Sequence, residues 1–375
     1  MNKLKVMTIL GTRPEIIRLS AVIKACDVHF EHIFVHTGQN WDPTLNDIFF
    51  EDLQLRKPDY YLNVVGHNLG ETIGNVIARS YEIMERERPH AVLLLGDTNS
   101  ALSAIAAKRL KIPIFHMEAG NRCFDQNVPE ETNRRIVDHI SDINLPYTEH
   151  SRRYLLAEGV RKEHIFVTGS PMTEVLRDHQ EAINKCEVLT KFSLEPNRYF
   201  VLSAHREENL DIDSQLFSLM TAVNEVAEQF GLPILYTAHP RSVKKLQAKQ
   251  IELHPLVQIH QPFGFIEYNH LQQHAYCVLS DSGTLSEESA ILNFPGVLIR
   301  TSTERPEVLD KGSIVIGGIT GEHLVGSIRL AVGIHAQDKA HQHSPVDYRD
   351  TNVSVKVVKL IQSYTPIINK VIWNK

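Results

Sequence analysis

Three carboxylates stand where short apolar runs give way to turns, the places at which an α/β chain offers side chains to a ligand. Asp97 follows the run 91–95 in Gly96-Asp97-Thr98-Asn99-Ser100. Glu118 closes the run 113–117 in His116-Met117-Glu118-Ala119-Gly120, and Glu130 opens a helix-period stretch in Pro129-Glu130-Glu131-Thr132-Asn133-Arg134. Brought to one mouth of a sheet, such acids raise the pKa of at least one of their number, which suits general acid and base work. Plainer roles exist for two of them. Asp97 can cap the following helix, and Glu130 can be an acid of a helical first turn. A carboxylate at a strand end just before a glycine turn, as at Glu118, is harder to explain structurally. Arg134 lies four residues beyond Glu130, so the two share a helix face and can pair.

A second set of residues reads as anion-binding. Gly11-Thr12-Arg13-Pro14-Glu15 follows the first apolar run and places Arg13 at a helix N-terminus, with Pro14 suited to the first helical position. His205 and His239 each follow an apolar run of the second half, in Ala204-His205-Arg206 and Ala238-His239-Pro240-Arg241. Two histidines so placed favour ligand contact over packing. In Ser280-Asp281-Ser282-Gly283-Thr284-Leu285-Ser286-Glu287-Glu288 a strand ends, a small-residue turn follows and a helix opens. Ser282 and Gly283 let a phosphate approach the backbone. Glu288, one turn in, can accept both hydroxyls of a ribose. Thr284 with Glu287 also fits a capping box, a purely structural use of the same residues. Arg300 and Arg305 add positive charge nearby. Together these features describe a nucleotide-diphosphate pocket in the second half, with the acids, Arg13 and His205 around whatever the diphosphate carries.

The elements that position these residues alternate. Strand candidates lie at 5–10, 32–36, 91–95, 113–117, 142–145 and 165–168, with helix-period segments at 15–24, 72–87, 100–110, 130–140 and 149–158. The rhythm restarts with strands at 199–203, 234–237, 257–260, 276–279, 297–299 and 314–316, and helices at 214–229, 243–253, 266–274, 284–292 and 321–334. Repeated βα units of this kind predict two doubly wound, Rossmann-like domains facing across a cleft. The first spans 1–185 and carries the acids; the second spans 197–350 and binds the nucleotide; a last helix at 352–364 is placed to pack back on the first. The 375 residues are 42% hydrophobic and 22% charged, and 39 Lys and Arg against 45 Asp and Glu give a net charge of −6. That balance argues against nucleic acid as a partner. No apolar run approaches the roughly 18 residues of a membrane helix, and the first ten residues lack the apolar core of a secretory signal. Cys26, Cys123, Cys186 and Cys277 form no CxxC pair, so reduced thiols and a cytoplasmic location are expected. His341 and His343 alone make a poor metal site, and no metal is expected.

In this order and spacing, Gly11-Thr12-Arg13-Pro14-Glu15, Gly96-Asp97-Thr98, His116–Gly120, Pro129–Arg134, Asp281-Ser282-Gly283 and Thr303-Glu304-Arg305-Pro306-Glu307 resemble the non-hydrolysing UDP-N-acetylglucosamine 2-epimerases over nearly the whole chain. The continuation Cys123-Phe124-Asp125-Gln126-Asn127-Val128 is similar to the capsule and O-antigen branch, the UDP-N-acetyl-L-fucosamine synthases. The resemblance implies a GT-B-like fold, a UDP-sugar substrate, a homodimer, and no nicotinamide or metal, in keeping with the missing GxGxxG. It implies inversion at C2 of UDP-2-acetamido-2,6-dideoxy-L-talose for capsular polysaccharide, through elimination of UDP to a 2-acetamidoglycal and its re-addition. The alternative within the family is UDP-N-acetylglucosamine, giving UDP-N-acetylmannosamine. A GT-B glycosyltransferase and a non-catalytic sugar-nucleotide sensor are more distant readings. By motif match, Asp97, Glu118 and Glu130 supply acid and base, while His205, Arg13 and Arg134 stabilise the departing diphosphate. Ser282, Gly283 and Glu288 hold UDP, with Arg305 beside them. Three positions depart from the family. Arg18 stands where Lys is usual and Thr284 where a second Gly is usual. Gln39-Asn40-Trp41-Asp42 replaces a Gln-His-Arg run that serves an allosteric UDP-N-acetylglucosamine site, so no such activation is expected.

Overall fold

A computed structural model describes the chain except for residues 1–2, 40–42, 127, 239 and 338–343, with the side chains of 43–46, 207, 208, 240 and 241 also outside the described set. The chain divides into two compact units, Met1–Asp178 with Asp347–Lys375, and His179–Val346.

The first unit is built on six parallel strands: β1 (Lys5–Leu10), β2 (Glu31–His36), β3 (Tyr60–Tyr61), β4 (Ala91–Leu95), β5 (Ile114–Met117) and β6 (Ile143–Leu145), in the order β3-β2-β1-β4-β5-β6. The second unit repeats the plan with β7 (Phe200–Ser203), β8 (Ile234–Thr237), β9 (Val257–His260), β10 (Cys277–Ser280), β11 (Gly296–Leu298) and β12 (Val315–Ile316), in the order β12-β11-β10-β7-β8-β9. Read from the opposite edge this is the same doubly wound order. In each sheet the strand order reverses once, between β1 and β4 and between β7 and β10, and the crevice beyond the carboxyl ends of those strands is where such folds take ligands. Helices cover both faces, so the central strands read as unbroken apolar runs; β4 and β7 are buried at every residue. One core gathers Met7, Ile9, Val35, Val92, Leu94 and Ile114 beneath the helices that follow them. The other gathers Phe200, Leu202, Ile234, Tyr236, Cys277 and Leu279. The last helix, Val353–Val371, packs on the helix Arg13–His29 within the first unit. Its open N-terminus is met by Glu174, which accepts from the Ser354 backbone N–H at 2.8 Å and its hydroxyl at 2.6 Å.

Three local differences from the sequence expectation have physical reasons. The stretch 165–168 is no strand: Phe166 donates to the Asn144 carbonyl and Thr168 to the Pro146 carbonyl, both at 3.0 Å, but only Ile165 forms a bridge. Pro146 has no N–H to return the next ladder bond, and pairing stops there. The helix Pro43–Asp52 and the two-residue β3 were not anticipated. Two residues are too few to show a period. The stretch 100–110 starts as a 3₁₀ helix, Asn99–Ser103, before Ala104–Arg109 continues as an α-helix.

Candidate active site

At the end of β1 the chain turns through Gly11. A Cβ there would stand 2.0 Å from the Thr37 hydroxyl and 2.1 Å from that of Ser100, so only glycine lets the turn pass this hydroxyl pair. Thr12 caps the helix Arg13–His29 without a side-chain bond. Glu15 reaches back over the turn, its carboxylate accepting from the Gly11 N–H at 3.0 Å and the Thr12 hydroxyl at 2.8 Å. Glu15 is only 1% exposed, and burial outweighs those bonds, lifting its pKa to about 7. Arg13, in the first turn, lies over the Phe49 ring at 5.4 Å. Arg18, one turn further, is buried and donates to Glu118 at 2.5 Å.

Glu118 sits at the end of β5 with φ near +60°, a left-handed conformation uncommon outside glycine, Asn and Asp. That backbone directs its carboxyl back beside Gly96, whose ideal Cβ would stand 3.4 Å from Oε2, while Asn121 donates to Oε1 at 3.2 Å. Asp97 follows directly. Its Oδ2 accepts from both Nε and Nη2 of Arg134, at 3.0 and 2.5 Å, and its side chain keeps 21% exposure. A fork-shaped pair of this kind fixes the carboxylate's direction as well as its charge. Arg134 also holds Glu131 at 2.8 Å, and Asn133 ties the same helix to the Asp97 carbonyl at 2.9 Å. Glu130 lies in the first turn of that helix, Pro129–Ile140, half-buried. The capping reading of Asp97 does not hold, since the 3₁₀ turn after it starts at Thr98 without a side-chain cap. Asp97, paired with Arg134, and Glu118, paired with Arg18, therefore stand at the ends of the adjacent strands β4 and β5.

Behind these groups lies a wholly buried hub that sequence reading missed. Asp138 accepts from the Gly120 N–H at 3.1 Å and from Arg122 at 2.7 Å, and His116 Nδ1 stands 2.9 Å away. The opposite nitrogen, His116 Nε2, meets the Gly96 carbonyl at 2.7 Å. Burial works against the charged form of both partners, yet their mutual attraction prevails: His116 is shifted up and Asp138 down. The hub thus links the turn carrying Asp97 to the turn carrying Glu118. Its only sequence signal is a polar residue at 138 on the otherwise core-facing side of a helix.

In the second unit, β7 ends at Ala204-His205-Arg206 and β10 at Asp281-Ser282-Gly283, on either side of the strand-order reversal. The fully buried Asp281 accepts from the backbone N–H groups of His205 and Arg206, each at 3.0 Å, and from Asn209 Nδ2 at 3.1 Å. Gly283 caps the helix Thr284–Leu292 without a side chain of its own, and Ser282 takes the first two helical N–H groups, that of Thr284 through its hydroxyl and that of Leu285 through its carbonyl, each at 3.3 Å; the helix N-terminus still favours an anion at this turn. The Thr284–Glu287 capping box is not formed. Instead Thr284 shares a 2.9 Å hydroxyl contact with Ser282, and Glu287 takes Arg305 at 3.1 Å. Arg305 is buried by that pairing. Glu288 accepts from Gln272 at 2.8 Å, and Glu304 is held by Arg206 at 3.0 Å and Arg300 at 2.6 Å. A Cβ on Gly283 would stand 2.5 Å from Glu304 Oε1, which explains the glycine. His239, the Asn40-Trp41-Asp42 run, and His341 with His343 lie outside the described residues. Among the described residues no cluster of three or more His, Cys, Asp or Glu is arranged to hold a metal ion, and no helix is long and apolar enough to cross a membrane.

The UDP-N-acetylglucosamine 2-epimerase family matches residues 24–362. The solved UDP-N-acetylglucosamine 2-epimerase from Rickettsia bellii is 45% identical, with a TM-score of 0.92 and 100% of both chains covered. That of Methanocaldococcus jannaschii, in complex with UDP-GlcNAc and UDP, is 32% identical with a TM-score of 0.88, covering 96% of this chain and 99% of the other. UDP-2,3-diacetamido-2,3-dideoxy-D-glucuronate 2-epimerase from Pseudomonas aeruginosa is 34% identical over 339 residues, 89% of this chain and 94% of its own. The two doubly wound units are of the GT-B-like class that these epimerases share. The chain belongs to the UDP-N-acetylglucosamine 2-epimerase family, and it is a carbohydrate isomerase.

Proposed function

We propose that this chain inverts C2 of UDP-2-acetamido-2,6-dideoxy-L-talose to give UDP-N-acetyl-L-fucosamine, a step of capsular polysaccharide synthesis. The observation that carries the reaction is two carboxylate–arginine pairs, Asp97–Arg134 and Glu118–Arg18, at the ends of adjacent strands. The C2 hydrogen of such a sugar has no neighbouring carbonyl, so direct deprotonation is too slow. Cleavage of the C1–O bond first builds positive charge at C1, which acidifies the C2 hydrogen. A carboxylate takes that proton, the C1=C2 bond forms, and UDP leaves with the bonding pair. Delivery of a proton to the opposite face of C2, with return of the UDP oxygen to C1, completes the inversion. Asp97, Glu118 and Glu130 exchange the proton. Arg13, Arg134 and His205 meet the charge on the diphosphate, and Ser282, Gly283, Thr284 and Glu288 hold UDP, with Arg305 supporting that turn through Glu287. The reaction as written needs neither nicotinamide nor metal, and the working form is a homodimer.

The 6-deoxy substrate is supported by the loop between Glu118 and Glu130. There Phe124 is 60% exposed and packs edge-on against Tyr154, ring centres 5.5 Å apart. The exposed Phe124 ring offers a sugar methyl group apolar contact and a hydroxymethyl no hydrogen bond. The second reading, UDP-N-acetylglucosamine to UDP-N-acetylmannosamine, draws on the names of the Rickettsia and Methanocaldococcus relatives. Proton NMR of the chain with each UDP-sugar supplied separately, without acceptor, decides. Faster turnover of the talose-type sugar supports the proposal, faster turnover of UDP-N-acetylglucosamine replaces it with the second reading, and no turnover of either overturns both.

A further inference from the structure

Asp281 carries a carboxylate at the end of β10, beside the turn that bears His205. It is fully buried, three N–H donors converge on it, and His205 Nδ1 lies 3.1 Å from its Oδ1. Asn209 is itself anchored to the Ile299 carbonyl at 3.1 Å, so the acceptor cannot swing away from the ring. The His205 side chain remains 41% exposed. A histidine with Nδ1 against a buried carboxylate and a partly exposed side chain has a defined orientation for proton exchange.

We propose that Asp281 is a positioning residue for His205. Its carboxylate accepts from Nδ1–H and, by its charge, favours the doubly protonated ring, whose Nε2–H donates to the departing diphosphate. The inference rests on the reading that His205 acts on that diphosphate. The same carboxylate also fixes the backbone from which His205 and Arg206 project, so loss of the turn must be separated from loss of the ring contact. Asp281→Asn preserves size and one acceptor oxygen but removes the negative charge that favours the doubly protonated ring.

The test is a double-mutant cycle on kcat with UDP affinity measured beside it. Asp281→Asn is expected to lower kcat between about 10²- and 10⁴-fold, the range for a misoriented catalytic histidine, with UDP Kd within about threefold of the parent. His205→Gln should lose a comparable factor. In the His205→Gln background, Asp281→Asn should remove less than about threefold more. A full, independent loss in that background shows a merely structural role and overturns the proposal. If His205→Gln slows turnover and Asp281→Asn does not, Asp281 alone is refuted. If His205→Gln keeps the parental kcat, the role of His205 itself falls. Nitrogen-15 NMR of the parent protein, assigned with His205→Gln, gives a readout that needs no folded Asp281 variant. A proton on Nδ1 of His205 supports the inference, and a ring protonated at Nε2 alone overturns it.

Discussion

Replacing Glu15 by Gln should make the first unit more stable at alkaline pH and change little in acid. Glu15 is buried beneath the turn that carries Arg13, and its pKa stands at about 7 rather than the ordinary 4.5. In the unfolded chain the carboxyl ionises first, so between these values the folded state binds more protons and stability falls as pH rises. At about 1.4 kcal/mol per pH unit the deficit is under about 1 kcal/mol at pH 5 and levels off at about 3 kcal/mol above pH 7. Glutamine copies the protonated form: its carbonyl oxygen can still accept from Gly11 and Thr12, and it never ionises. Thermal unfolding of parent and variant across pH 5–8.5 reads the effect. At roughly 2–4 °C per kcal/mol for units of about 150–250 residues, the variant should gain on the order of 6–12 °C over the parent at pH 8 and little at pH 5. Parallel melting curves across the range, or a variant less stable than the parent at pH 8, would refute the reasoning.

Arg18→Met strips the buried Glu118 of its cation, and breaking such a pair costs roughly 3–5 kcal/mol; the melting temperature should fall on the order of 10 °C and recover in part when Glu118→Gln is added, whereas an unchanged melting temperature contradicts the pairing. Gly283→Ala drives a methyl against Glu304 Oε1, which Arg206 and Arg300 hold in place; calorimetry should find UDP bound roughly tenfold more weakly, about 1.4 kcal/mol, and affinity within twofold of the parent would show the turn to be slack. Traces of UDP-N-acetylglucosamine should leave turnover of the talose-type sugar unchanged, and a large rate increase in a coupled assay would reveal an activating site.

Much of the fold was legible because parallel strands buried on both faces leave short apolar runs, and β1, β4, β8 and β9 stand at the residues their composition marks. The ends of those runs also locate Asp97, Glu118, His205 and the 282–284 turn, since a doubly wound sheet takes ligands at strand ends. The groups that orient them were not legible. Asp138 reaches back to Gly120 and Arg122, and Asp281 serves His205 across 76 residues; a partner set by tertiary contact leaves no spacing to read. Glu15, three residues past Thr12, reads as an ordinary first-turn acid until its burial is known. The Thr284–Glu287 spacing also allows a local capping box, which the structure does not form because Glu287 takes Arg305, 18 residues on.

The central claim is that a carboxylate removes the hydrogen at C2 and solvent-exchanged acid restores it on the other face. Mass spectrometry and proton NMR of product formed in deuterium oxide address it directly. Each epimerised molecule should carry one deuterium at C2; product that has inverted while keeping its original hydrogen there would contradict the account.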